Sequence, residues 1–174
     1  MNVHVIRYTA GMTGLSDEEL TVWHSIHAVL LLLPTALDRQ LQRDSNISYL
    51  EYYVLAGLSE LPERTGRLSD LAVLTNAELS RISHLIARLE KRGLVRRQPD
   101  PADGRYTNAV LTDPGWELVK AAAPGHTDAV RHLIFGGLDE TARRALGQSM
   151  DRIVAALTRS GTDLPWPKSP HGDT

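Results

Sequence analysis

Arg81, His84, Arg88 and Lys91 recur three and four residues apart, a spacing that stacks their side chains along one face of a helix. Leu79, Ile82, Leu85, Ile86 and Leu89 fall on a different face and predict a buried stripe. A basic helix face has a specific use on duplex DNA. Arginine donates two hydrogen bonds to guanine O6 and N7, asparagine pairs with adenine, and hydroxyls donate to phosphates or base edges. Asn76, Ser80 and Ser83 place those side-chain types near the start of this helix, the end that enters a major groove. Further on, Arg105 stands at the tip of an Asp-Gly-Arg turn, where a long cation reaches a narrow, electronegative minor groove. Tyr106 and Asn108 are positioned to add backbone contacts. Asp103 repels phosphate, so it is expected to pair with Arg96, Arg97 or Arg105 and shape the loop.

These residues need elements to hold them. Ser69 to Leu74 predicts a brief helix, and Thr75-x-x-Glu78 has the form of a capping box opening a longer helix to Arg92. Gly93 supplies the left-handed residue that closes it. Residues 94–98 and 106–111 predict two strands around the turn-forming PDPADG, and Arg67-Leu68 a very short strand before them. A solvated surface helix has the same composition as the basic helix; the short helix before it and the hairpin after it favour DNA reading.

Outside this module the chain reads as helix. Ser16-x-x-Glu19 and Ser48-x-x-Glu51 are two further capping boxes. The first opens a long helix in which Leu20, Trp23, His27, Leu30, Leu31, Leu37 and Leu41 recur at helical spacing, with a kink expected at Pro34 and an end at Asp44-Ser45-Asn46. The second opens a helix running to Pro62. Thr112-Asp113-Pro114 caps another helix, expected to bend or break at Pro124-Gly125. The last, from about residue 139 to 159, carries Leu146, Met150, Ile153, Val154 and Leu157 on one side.

The fold class is therefore mainly α with a small β-hairpin wing: a winged helix-turn-helix domain flanked by N- and C-terminal dimerisation helices. The apolar stripes of the outer helices are too long to bury within one small winged domain, which makes a second copy their natural destination. The expected division is an N-terminal extension at 1–15, a dimerisation helix at 16–46 and the winged domain at 47–112. Within that domain the recognition helix covers about 76–92 and the wing about 94–112. C-terminal dimerisation helices follow at 113–160 and a flexible tail at 161–174.

Composition narrows the function classes. The net charge of the 174 residues is -2, yet Arg67 to Arg105 holds eight Lys/Arg against five Asp/Glu, a local +3 against -5 elsewhere. A basic module in an acidic scaffold suits selective DNA binding. Cysteine is absent, which removes disulfides, thiolate metal sites and cysteine redox switches. The apolar run Ala28 to Leu33 stops at Pro34, short of the roughly 20 residues of a bilayer span. The first fourteen residues lack the apolar core of a signal peptide, so no membrane partner and a cytoplasmic location are expected. No phosphate loop, Gly-x-Ser-x-Gly elbow or His-Glu-x-x-His motif is present, and neither an enzyme nor a cofactor is expected. His24-x-x-His27 has a spacing open to metal, but a structural pair is the favoured reading and no metal site is assigned. Trp23, His27, Tyr52 and Tyr53 offer aromatic walls with polar handles for a small-molecule effector, with core or interface packing as the more ordinary role.

The chain resembles the MarR-type winged-helix transcriptional regulators. The resemblance is carried by Leu71-Ala72, by Ser80-Arg81 leading to Leu89-Glu90-Lys91-Arg92-Gly93-Leu94-Val95, and by Asp103-Gly104-Arg105 followed by Leu111-Thr112-x-x-Gly115. It spans about residues 16 to 161. It implies a homodimer whose first and last two helices intertwine, two winged domains on a pseudo-palindromic duplex, and small phenolic anions bound between the dimer helices and the winged domain. The expected function is a repressor released by a small, possibly aromatic ligand. An activator or ligand-independent regulator of the same fold stays open beside it, as does a protein-interaction module without DNA binding.

Overall fold

The computed structural model describes residues 14–159. Most of the extension expected at 1–15, and the tail expected at 161–174, lie outside them. Helix α1 (Asp17–Ser45) opens where Ser16 and Glu19 bond reciprocally: the Ser16 amide donates to Glu19 Oε2 at 2.7 Å and the Glu19 amide to Ser16 Oγ at 3.2 Å. It ends on Asn46, held left-handed at φ 52°. It runs unbroken through Pro34. By length and composition alone it is long and apolar enough to cross a bilayer, a test that the core helix of a soluble protein also passes. Helix α2 (Tyr49–Ser59) opens on the second capping box, Ser48 with Glu51.

One 3₁₀ turn at Pro62–Arg64 leads into strand β1 (Thr65–Arg67), then helix α3 (Leu68–Leu74) and helix α4 (Leu79–Lys91). The third capping box does not form. Thr75 Oγ1 instead donates back to the Leu71 and Ala72 carbonyls at 2.8 and 3.3 Å, closing α3. Asn76 is left-handed at φ 48°, and Glu78 sits at the N-cap with no side-chain bond to the helix. The recognition helix therefore starts at Leu79 and not near residue 76.

Strands β2 (Val95–Pro99) and β3 (Thr107–Leu111) form the hairpin, and β1 joins it to give an antiparallel sheet in the order β1-β3-β2. Arg67 pairs with Asn108 and Val95 with Leu111. Thr112 then caps helix α5 (Asp113–Val130), accepting from the Gly115 amide while donating to the Gly93 carbonyl at 2.6 Å. The break expected at Pro124-Gly125 is absent. The irregular segment comes later, as a π-helical turn at Arg131–Phe135 before helix α6 (Glu140–Arg159).

Val54, Leu55, Leu58, Leu71, Ile82, Leu85, Ile86, Leu89, Val95 and Leu111 form the main core under the winged module. A smaller cluster of Leu41, Ile47, Tyr52 and Ala122 joins α1, α2 and α5. Gly115 shows why a glycine stands there: a Cβ would lie 2.1 Å from the Leu94 carbonyl oxygen and 2.6 Å from Leu111 Cδ1. The first turn of α5 thus lies directly on the start of β2. α6 is different, since none of its residues is buried within this chain.

Candidate nucleic-acid interface

The reading helix is oriented by its apolar side. Ile82, Leu85, Ile86 and Leu89 are buried at 0–2% exposure, which turns Ser80, Arg81 and His84 outward, with Ser83 half-buried beside them. Asn76 is exposed in the turn before the helix and not on its first turn. Leu79, expected in the buried stripe, is 52% exposed. The buried stripe begins three residues later, at Ile82.

Arg88 is exposed on the same helix, but its guanidinium lies 3.8 Å from Glu51 of α2, and Arg92 approaches the same carboxylate at 3.8 Å. Arg92 also donates to the Asn46 carbonyl at 3.1 Å. The end of the recognition helix is thereby tied to the junction between α1 and α2. Sequence periodicity placed Arg88 with the DNA-facing cations; the carboxylate that draws it was visible only as half of a capping box.

The wing is held by a set of bonds only partly foreseen. Asp103 pairs with Arg105, accepting at 3.0 and 3.1 Å from Nε and at 2.6 Å from Nη2. The arginine holds the carboxyl below its ordinary range. Arg96 and Arg97 do not reach Asp103. Arg96 bonds Gln98, and Arg97 bonds Glu90 of α4 at 2.7 Å, which fastens β2 to the recognition helix.

Asp100 is the hub the sequence did not reveal. It is buried and accepts from Arg67 Nε at 2.8 Å and from the Ala102 and Asp103 amides at 2.8 and 3.1 Å. These donors, Arg67 foremost, hold its carboxyl well below the usual carboxylate range. The available signal was an aspartate opening a Pro-Ala-Asp-Gly turn, a residue type that bonds the backbone ahead of it. The Arg67 guanidinium also lies 4.7 Å from the ring centre of Tyr106, which remains exposed. Asn108, expected to contact a DNA backbone, is a buried residue of β3.

The Trp23 and His27 rings meet at a tilt, 5.9 Å apart, in the N-terminal half of α1. Tyr52 belongs to the cluster around Leu41, fourteen residues and about 21 Å further along that helix. The four aromatic candidates thus divide into two places within one chain. The Tyr52 ring instead packs at a tilt against His126 of α5 at 4.6 Å, and Tyr53 lies 6.0 Å from Tyr49, itself 6.1 Å from His126. Burial lowers the His126 pKa, and its Nδ1 has no partner. Among the described residues no group of three or more His, Cys, Asp or Glu is arranged to hold a metal.

A short helix, a tight turn, a second helix with an outward polar and basic face, and a three-stranded sheet tipped by arginine define a winged helix-turn-helix DNA-binding protein. The chain belongs to the MarR family of transcriptional regulators. The family model described as MarR family matches residues 45–105. The transcriptional regulator HosA of Escherichia coli O111:H- is 40% identical over 108 residues, covering 61% of this chain and 76% of that protein. Among solved structures, Sco3205 of Streptomyces coelicolor, a MarR family regulator in complex with DNA, is 43% identical with a TM-score of 0.78. The match covers 87% of this chain and 95% of that one. AbsC of the same organism is 34% identical with a TM-score of 0.76, covering 83% and 97%. Regulators of this family are not enzymes.

Proposed function

We propose that this protein is a cytoplasmic homodimeric repressor whose two α4 helices read the half-sites of a pseudo-palindromic operator, and which a small aromatic ligand releases. The carrying observation is the pair of uncovered apolar surfaces on α1 and α6. α1 exposes Val22, Trp23, Val29, Leu30, Leu31 and Leu32, and α6 exposes Met150, Ile153, Val154 and Leu157. Rows of large exposed apolar side chains on two helices are the kind of surface that marks an interaction site. A membrane is a poor destination for α1, because Leu37, Gln40 and Leu41 are buried at its other end and its last turns carry Arg39, Arg43 and Asp44. A second copy covers both surfaces at once, and two-fold symmetry sets the half-sites about 10 base pairs apart.

The recognition contacts are assigned to Asn76, Ser80, Arg81, Ser83 and His84 in the major groove and to Arg105 with Tyr106 at the minor groove. Arg88 contributes at the edge of the helix, shared with Glu51. For the effector, the Tyr49, Tyr52 and His126 rings lie where α2 meets α5, with the unpartnered His126 Nδ1 and Gln40 Oε1 nearby. A ligand wedged there acts by binding the DNA-free arrangement more tightly than the DNA-bound one.

The test is selection of fragmented host DNA on the purified protein at physiological salt, followed by sedimentation of the complex and transcription in vitro from the recovered promoter. An inverted repeat bound by two chains, and transcription blocked from an overlapping promoter, is the expected result. One chain on one half-site, or transcription raised by the protein, overturns the dimer or the repressor assignment respectively. Ile153→Glu is expected to give monomers.

A further inference from the structure

Leu79 lies outside the buried core. It is the first residue of α4 and 52% exposed, whereas the other apolar residues of that helix at 82, 85, 86 and 89 are sealed in the core. It belongs to neither α1 nor α6, so the apolar surfaces assigned to a second copy do not account for it. Its immediate neighbours are the exposed Asn76, Glu78, Ser80 and Arg81. A leucine in that company faces whatever the first turn of the helix faces.

In a major groove the edges of the bases are polar except at one place, the C5 methyl of thymine. We propose that Leu79 is a specificity-determining residue that seats on a thymine methyl in each half-site. This rests on the assignment of α4 as the reading helix. Arg81, two residues on, recognises a donor-accepting guanine edge; Leu79 adds a reading no polar neighbour supplies, the distinction of thymine from cytosine by shape and apolarity. Removing one methyl from a leucine contact forfeits about 0.8 kcal/mol, or roughly fourfold in affinity.

The experiment uses the full chain and an operator oligonucleotide recovered by selection. Each thymine of one half-site is replaced singly by deoxyuridine, which deletes the methyl and leaves every hydrogen-bonding group in place. Wild type is expected to lose about fourfold at one position and little elsewhere, while Leu79→Ala binds the thymine and uracil forms of that position equally. Cytosine at the same place is expected to weaken wild type, with 5-methylcytosine recovering part of the loss. A wild type indifferent to uracil at every position overturns the proposal, as does a Leu79→Ala that keeps the full sensitivity. Arg81→Ala separates the two levels: if it lowers affinity while the uracil series is flat, only Leu79 is misassigned. If it too is without effect, the assignment of α4 as reading helix fails with it.

Discussion

Arg67 Nε donates to Asp100 Oδ2 at 2.8 Å, joining the strand that precedes α3 to the turn inside the wing. The same carboxylate accepts two amides of that turn, and Arg67 also lies against Tyr106. The wing's tip is therefore referenced to the body of the domain through one buried acid. A carboxyl whose folded pKa is depressed contributes stability above its ordinary value, near 3.8 here, and loses it only as the pH falls below that. Wing order is accordingly expected to be flat across neutral pH.

Asp100→Asn is expected to act on DNA through Arg105. Removing Arg105 by Arg105→Ala weakens binding across sequences and reduces the salt slope by about 1 for each phosphate that is no longer neutralised. If Asp100 serves to aim that arginine, the double variant binds no worse than Arg105→Ala alone. Fluorescence anisotropy at several salt concentrations reads both quantities; additive losses refute the coupling.

Glu51 works at two places, as the capping partner of Ser48 and as the shared acid of Arg88 and Arg92. Ser48→Ala removes a cap and is expected to cost about 1 kcal/mol. Glu51→Ala additionally leaves two arginines facing each other without an anion, and a larger loss is expected in urea unfolding. Equal losses would mean that the ion pairs add nothing.

His126 is kept neutral by burial, which lowers its pKa from 6.5. The unfolded chain then binds a proton between pH 6.5 and the lower folded value, so stability is complete above 6.5 and declines as the pH falls below it. The groups that face it are the Tyr49 and Tyr52 rings, with Gln40 and Asp44 of α1 beside Gly125. Melting temperatures from pH 7.5 down to 5 are expected to fall for wild type and to fall less for His126→Phe.

Gly115→Ala places a methyl 2.1 Å from the Leu94 carbonyl oxygen, a backbone atom that has little freedom to retreat. A cost of about 1–3 kcal/mol or more is expected, seen as a lower urea midpoint with an unchanged slope. An unchanged midpoint would mean that α5 shifts freely on the sheet.

Local signals were legible in the sequence where a residue's partners lie within one turn of it. Ser16 with Glu19 and Ser48 with Glu51 cap their helices as their spacing predicts. Thr75 with Glu78 has the same spacing and fails, because the turn at Asn76 bends the chain left-handed and gives the threonine hydroxyl a carbonyl of the previous helix. Leu79 shows the limit of periodicity, which locates the apolar side of a helix but not where its neighbours end. Arg97 and Arg67 show the limit of reading charges along the chain. Their acids, Glu90 and Asp100, are chosen by how the sheet lies on α4 and by the register of β1 on β3.

None of the residues of α6 is buried by its own chain. A helix in that condition has little to hold it in water when the chain is alone, since helices in proteins draw most of their stability from packing an apolar face. In the proposed dimer its order depends on how many copies are present. Apparent stability is expected to climb with protein concentration, as it does whenever assembly is part of folding. For the proposed dimer this amounts to a dosage threshold: well below the dissociation constant the assembled form, and with it occupancy of DNA, rises as the square of the number of chains made, and above it only in proportion.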